Sequence, residues 1–501
     1  MMTSPFDIRL AHPDCLFIGG AWVPPALGGR ITVVSAHSEA VLASVAEATE
    51  ADADAAVAAA RKAFDHGPWP RLSPGQRAAW LQRLHAALEA RVPELVRAWI
   101  DHIGALATVS PHVIGGGMST LQAIIDHAET YPFVEARAPF DGHGEALIVR
   151  EPVGVAVAIV PWNNPFGIMI SKVAAALLAG CTVIMKPSPE TPIEAYIIAE
   201  AAEAIGLPAG VLNLIPSHRP AADHLVRNPG VDKVSLTGST IAGKRVAAVC
   251  GERLARCTLE LGGKSAAIIL DDYDLAAAAR MLTSTIIMSA GQVCATLSRV
   301  IVSRPRHDDL VEAIRAEMAG VRIGSPFDPE TQLGPLALER QRARVLDYIG
   351  IGVAEGARLA FGGGRPSHLA RGYYVEPTLF AGVDSAMRIA QEEIFGPVLS
   401  VLPVDDEADA IRAANDSDFG LYGAVFTNDR DAAYRVARAM RTGTVTHNIF
   451  RFDPSLPFGG FKQSGIGREG GTEAIGSYTE LKSILLDAPA DTAKRDPGKT
   501  T

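Results

Sequence analysis

The chain has 501 residues, 48% of them hydrophobic and 20% charged, and 46 Lys and Arg stand against 56 Asp and Glu for a formal charge of −10. That length exceeds one hydrophobic core and implies two or three domains, while the composition excludes a disordered or fibrous chain. The acidic balance, with no basic run to override it, excludes a nucleic-acid-binding surface.

The five cysteines, at 15, 181, 250, 257 and 294, are odd in number and lack metal-ligand spacing. They point to a reducing compartment and to no metal site. The first ten residues show neither a basic cluster nor a long apolar stretch, and the longest apolar run, Val173 to Met185, is too short for a bilayer. A cytoplasmic protein without membrane partners is expected.

Residues 16–48 alternate short apolar runs with Gly and Pro, which predicts small strands and hairpins. Thr49 and Asp52 offer caps for a helix over Ala53 to Phe64, and S-P-G-Q-R from Ser73 opens the next. The stretches 76–103 and 118–135 predict two more helices, separated by a Gly-rich segment, 103–117, with no assignable role. Asp141 to Val149 reads as a turn entering a strand. Val153 to Val160, apolar on both faces, predicts a central parallel strand. It ends in P-W-N-N-P-F-G (161–167), and binding groups of open parallel sheets gather at such carboxyl ends.

A second buried strand, Cys181 to Met185, leads into K-P-S-P-E-T-P, and a third, Val211 to Ile215, into P-S-H-R-P-A (216–221). The run V-S-L-T-G-S-T-I-A-G-K-R (234–245) nearly matches a phosphate-binding P-loop, but Arg245 stands where a Ser or Thr must hold the metal ion. The better reading is a strand ending at Thr237 and a helix starting near Ser239, whose free N–H groups suit a pyrophosphate.

The richest stretch follows. E-L-G-G-K (260–264) and G-Q-V-C (291–294) bracket a strand from Ser265 to Asp272 and a helix from Leu275 to Met288. A thiolate attacks electrophilic carbon, and a nearby carboxylate activates water to resolve the covalent intermediate. Alone, a buried Cys and a solvated Glu are the commoner reading, but Gly262 and Gly263 leave backbone bare for close approach. Beyond lie a strand at 299–303, a helix from His307 to Met318, a turn-rich segment at 322–335 and a strand at 372–380. Then come Q-E-E-I-F-G-P-V (391–398), the aromatic and Gly-rich loop 448–469 and a closing strand at 479–486.

These motifs, in this order, resemble those of the NAD(P)-dependent aldehyde dehydrogenase superfamily over residues 16–486. The resemblance implies an α/β fold with two parallel-sheet domains, a Rossmann-like cofactor domain and a catalytic domain, plus a small oligomerisation extension. Its boundaries are 1–137 with 152–261 for the cofactor domain and 262–446 for the catalytic domain. Strands 138–151 and 477–488 are for oligomerisation, 447–476 is a return segment bordering the site, and 489–501 is a loose tail. No G-x-G-x-x-G follows any early strand; an ordinary Rossmann dehydrogenase has one, whereas this superfamily binds its dinucleotide without it.

By the same resemblance Cys294 is the nucleophile, Glu260 the general base and Asn163 the oxyanion donor, with Lys172 and Glu469 near the acylation site. Cofactor contacts fall on Ile159, Pro161, Trp162, Lys186, Ser188, Gly238, Ser239, Leu261, Glu393 and Phe395. NAD is the expected cofactor, with NADP possible: Pro189 stands where many NAD-preferring members carry Glu, and 216–221 replaces a Gly-rich loop. Phe166, Met169, Ile170, Val293, Ala295, Phe450 and Phe452 are the tunnel candidates by analogy, and they favour a hydrophobic aldehyde, aromatic, alicyclic or long aliphatic. Arg451 keeps a carboxylate-bearing semialdehyde as the alternative substrate, a catalytically silent protein of this fold is the alternative function, and self-association to a homodimer or homotetramer is expected.

Overall fold

A computed structural model of the protein describes residues 8–487. The strand Val155–Ile159, V-A-V-A-I, has no polar side chain, and burial on both faces places it inside a sheet of eight strands. Their order is 21–23, 16–18, 212–214, 182–186, 155–159, 233–237, 256–260 and 465–466. The five from 212–214 to 256–260 run parallel, and the others close the edges antiparallel. Register aligns Ile159 with Lys186 and with Leu236, and Thr237 with Glu260, so the segments that leave these carboxyl ends emerge side by side. Apolar layers cover both faces, one including Leu84, Trp99, Phe166 and Ile197, the other Val57, Leu225 and Val249.

A second sheet of seven strands is ordered 358–361, 378–381, 398–404, 297–303, 265–269, 422–426 and 444–447. All pairings are parallel except that of 358–361. The chain passes between the sheets directly from Glu260 to Ser265, so the E-L-G-G-K loop is the hinge between them. A third sheet, antiparallel, joins 134–137, 145–152 and 479–486 within the same chain. Among the described residues no helix is long and apolar enough to cross a membrane. Of the expected tail, 489–501, nothing lies within the described residues.

Several elements differ from their sequence expectations. The stretch 76–103 is two helices, Pro74–Glu89 and Val92–Ile103. The break falls just before Pro93, which has no N–H to continue a preceding helix. The helix expected at 118–135 is instead Ser110–Asp126, absorbing most of the Gly-rich segment, and Val134–Arg137 is a strand. Pro111 at its first turn suits a start there, since its missing N–H would have no helical partner anyway. Of 372–380 only Thr378–Ala381 is a strand, following Pro377, and 216–221 runs into a helix, Arg219–Arg227.

The first helix, Glu50–Asp65, is capped as its sequence suggests: Asp52 N donates to Thr49 Oγ1 at 3.4 Å and Thr49 N to Asp52 Oδ2 at 2.8 Å. Thr49→Ala is expected to cost about 1 kcal/mol, seen as a lower urea midpoint with an unchanged slope.

Candidate active site

After the helix Leu275–Ile287, Ser289 and Ala290 turn left-handed, with φ of 46° and 54°. Gly291 follows at φ 72°, where a Cβ would meet Gly396 O at 2.2 Å. Only glycine completes this turn, which aims Gln292 to Cys294 at the hinge loop. Gln292 is fixed on both sides: its Oε1 accepts from Ala337 N at 2.9 Å and its Nε2 donates to Ser289 O at 2.8 Å.

Its backbone carbonyl accepts from Asn163 Nδ2 at 2.9 Å, and Trp99 Nε1 donates to Asn163 O at 3.0 Å. Asn163 is thus pinned two residues from Cys294, with its second amide hydrogen left to donate. On the other side, a Cβ on Gly263 would come within 2.4 Å of Cys294 O, so E-L-G-G-K runs against the backbone of the thiol residue. Gly263→Ala is expected to push the two apart and lower kcat/KM by at least tenfold, with folding checked by circular dichroism, because backbone on both sides leaves nothing flexible to yield.

Glu260 is 3% exposed, and neither carboxylate oxygen has a hydrogen-bond partner. Burial pushes its pKa well above the usual carboxylate range, and the charge of Glu469 adds to this while Lys172 and Arg468 oppose it. Burial likewise pushes the Cys294 thiol up to about 12, with the charges of Glu393 and Glu260 adding. A carboxylate and a thiol whose pKa values are both raised share one electrostatic environment. Behind them Lys172 Nζ, buried, donates to Ser235 Oγ at 2.9 Å and to the Glu469 carboxylate, and Ser235 Oγ donates to Glu469 Oε1 at 2.9 Å. The five residues expected to carry chemistry therefore occupy one region, linked by contact or by charge.

The expected cofactor contacts also gather. Ile159, Pro161 and Trp162 leave one strand end, Lys186 and Ser188 the next, Gly238 and Ser239 a third and Leu261 a fourth. Ser239 Oγ caps the helix Thr240–Glu252 by accepting from Ala242 N at 3.3 Å, leaving the helix N-terminus open at this edge. Arg245, the residue that spoils the P-loop pattern, is paired with Asp223 at 2.9 Å. From the second sheet, Glu393 Oε1 accepts from Gly263 N at 3.0 Å, and Phe395, at φ 62°, sets its ring edge-on to Trp162 with centroids 5.4 Å apart. A groove with backbone donors, a buried lysine and two aromatic walls fits an extended dinucleotide.

The tunnel candidates divide. Phe166, Met169 and Ile170 are shut in the core and Ala295 is fully buried, so these four do not line an accessible wall. The helix Pro165–Ala179 has its partly exposed stripe at Gly167, Ile168 and Ser171, one turn apart, continuing from Asn164. Val293, Phe450 and Phe452 do retain accessible surface. Phe450 and Phe452 lie 5.3 Å apart, and Phe452 meets Phe458 at 5.7 Å. Phe458 immediately precedes Gly459, where a Cβ would sit 2.6 Å from Glu260 Oε1, so this aromatic row leads to the base.

The model of the aldehyde dehydrogenase family matches residues 22–484. The chain belongs to that family. Among similar proteins, a geranial dehydrogenase of Castellaniella defragrans is 43% identical over 94% of this chain and 98% of its own. An aldehyde dehydrogenase of Mycobacterium tuberculosis, solved with NAD+, is 44% identical with a TM-score of 0.91 over 94% of this chain and 98% of its own. A mutant aldehyde dehydrogenase C of Pseudomonas syringae, solved with NAD+ and octanal, is 37% identical with a TM-score of 0.92, covering 97% of this chain and 99% of its own. The fold of this aldehyde dehydrogenase accords with those of the two solved relatives.

Some contributors had no mark in the sequence. Trp99, which holds the Asn163 backbone, sits in a helix with no local sign of its role. Gln341 Nε2 donates to Ile394 O at 3.1 Å and Phe395 O at 2.7 Å, and Arg344 donates to Glu393 O at 2.6 Å, fixing the 393–395 loop from a helix some fifty residues away. Only tertiary contact reveals them. Phe458 was within reach of sequence reasoning, since it lies inside the P-F-G-G-F-K motif.

Proposed function

We propose that the protein oxidises a hydrophobic aldehyde to the carboxylic acid with NAD as acceptor, through a covalent thioester on Cys294. The observation that supports this reading is the close approach of Gly263 to Cys294 O, where the base-bearing loop runs against the backbone of the thiol residue. The Cys294 sulfur, as thiolate, adds to the aldehyde carbon. The oxyanion that forms accepts hydrogen bonds from Asn163 Nδ2 and the Cys294 backbone N–H; one such side-chain donor is worth about 3 kcal/mol of barrier.

Bound NAD would supply the acceptor for the hydride that leaves this carbon and a ring cation that favours the thiolate. Glu260 then takes a proton from water as the water attacks the thioester carbon; the carbon–sulfur bond breaks, releasing acid and thiolate. The Lys172, Ser235 and Glu469 network acts on Glu260 through charge: Glu469 raises its pKa and Lys172 lowers it. Lys186, Ser188 and the helix N-terminus at Ser239 would hold the dinucleotide from the first sheet's side, and Glu393 and Phe395 from the second's. A panel of aldehydes followed by NAD(P)H absorbance tests the reading; no reduction with any aldehyde would overturn it.

The apolar surface offered by Ile168, Val293, Phe450, Phe452 and Phe458 supports aromatic, alicyclic or long aliphatic substrates. The geranial and octanal of the relatives named above belong to the same class. Phe452→Ala, which removes a half-exposed ring, is expected to raise KM for octanal about fivefold with a smaller change in kcat, in line with partial loss of one aromatic contact. Self-association through the third sheet is part of this reading, supported by the exposed Val134, Leu481 and Leu485 on its strands. Sedimentation velocity is expected to give a dimer or tetramer. With all five cysteines free, a reducing cytoplasm is the proposed location.

A further inference from the structure

Two cysteines that take no part in the proposed chemistry, Cys250 and Cys257, are brought together by the end of one helix. The helix Thr240–Glu252 closes in a left-handed turn: Leu254 has φ 59°, Leu254 N donates to Gly251 O at 3.3 Å and Ala255 N donates to Cys250 O at 2.9 Å. This pair of bonds folds the chain back over the last helical turn and returns it to the level of Cys250. The strand Arg256–Glu260 begins at once. Side chains alternate along extended backbone, so Cys257 comes back to the side of Ala255. Both Ala255 and Cys257 pack on the apolar layer that contains Val246, Val249 and Cys250.

The two thiols differ in kind. Cys250 is 1% exposed, whereas Cys257 keeps accessible surface. A side-chain hydrogen bond joins them. The Cys250 S–H in that bond holds the Cys257 thiol down to about 7; burial opposes this, and Lys233 on the neighbouring strand assists it. The same bond, together with burial, pushes Cys250 up. One sulfur is therefore accessible and ready to ionise near neutrality, and the other is protonated and lies against it. An attacking thiolate with a resolving thiol beside it has this arrangement.

We propose that Cys250 and Cys257 form a peroxide-reactive dithiol, closed reversibly to a disulfide by hydrogen peroxide. The Cys257 thiolate attacks one peroxide oxygen, the O–O bond breaks, and the departing hydroxide takes up a proton to become water. This leaves a sulfenic acid on Cys257. The Cys250 sulfur then attacks the Cys257 sulfur, the S–O bond breaks, and the leaving hydroxide departs as a second water with the Cys250 proton. Two electrons pass from the pair of thiols to the peroxide. In a reducing compartment such a bond is transient, and thiol exchange reopens it. While closed it ties the last turn of the helix that starts at Thr240 to the strand that bears Glu260.

The test treats the natural full chain with hydrogen peroxide, alkylates the remaining thiols with iodoacetamide under denaturing conditions and digests it with trypsin. Cleavage after Arg253 and Arg256 separates V-A-A-V-C-G-E-R (246–253) from C-T-L-E-L-G-G-K (257–264). The disulfide is then read by mass as these two peptides joined, with the loss of two hydrogens. The joined peptide, parallel loss of alkylation at both positions and recovery of both after dithiothreitol are the expected result. In Cys250→Ala the joined peptide should vanish and dimedone should capture a sulfenic acid on Cys257. Three results would overturn the proposal: both cysteines still fully alkylated after peroxide has oxidised Cys294, Cys257 carried to its sulfinic acid without a joined peptide, or Cys257 joined to a different thiol.

Discussion

Cys294→Ala is expected to lower aldehyde oxidation by at least about 10⁴-fold, because the covalent step has no other nucleophile to carry it. The remaining cysteines are not substitutes. Cys181 and Cys250 are buried in core layers, Cys15 precedes the strand Leu16–Ile18, and Cys257 sits near the start of the strand Arg256–Glu260, three residues before Glu260. Asn163 would still be anchored to Gln292 O, and the groove would be intact. Dinucleotide binding by the variant, read from NADH fluorescence, is therefore expected to persist while turnover is lost. Turnover within tenfold of the natural chain would remove Cys294 from the mechanism.

Glu260→Gln is expected to separate the two stages. The substitution keeps the shape of a side chain whose oxygens make no hydrogen bonds, and removes the proton acceptor. Hydride transfer should continue once per site, so rapid mixing should show a burst of NADH near one equivalent. Steady-state turnover should then fall by about 10²- to 10⁴-fold, the range for loss of a positioned general base. Steady-state turnover unchanged from the natural chain would mean that hydrolysis does not depend on this carboxylate. The pH profile follows from the same environment. Glu260 and Cys294 both have raised pKa values and both must be deprotonated to act. Turnover is therefore expected to rise with pH through the neutral range and beyond, and in Glu260→Gln the part of that rise due to hydrolysis should disappear.

Much of this site was legible because its chemistry sits in short, contiguous segments at strand ends. Val155–Ile159, Thr182–Lys186 and Lys233–Thr237 are short strands rich in β-branched or aliphatic residues and followed within two residues by Pro or Gly, so the strand, its end and the adjoining binding residues are read together. The capping pairs at Thr49 and Ser73 are equally local, each a cap and its partner three residues on. What escaped was set by contacts distant in sequence. Which face of the helix Pro165–Ala179 meets the tunnel depends on what covers the other: its helical stripe is apolar almost all round, and the packing of the layer that contains Phe166 decides which side is buried. The 118–135 stretch failed for a related reason, since the strand Val134–Arg137 exists through pairing with 145–152. Arg340, Gln341 and Arg344 lie on an ordinary amphipathic helix, and their partners at 190 and 393–395 belong to two different sheets' units.

The most direct test is intact-protein and peptide mass spectrometry of Glu260→Gln after mixing with octanal and NAD. An octanoyl thioester on the peptide bearing Cys294, formed only when both reagents are present, is the result expected. An unmodified Cys294 under conditions where NADH is produced, or the acyl group on any other residue, would contradict the account.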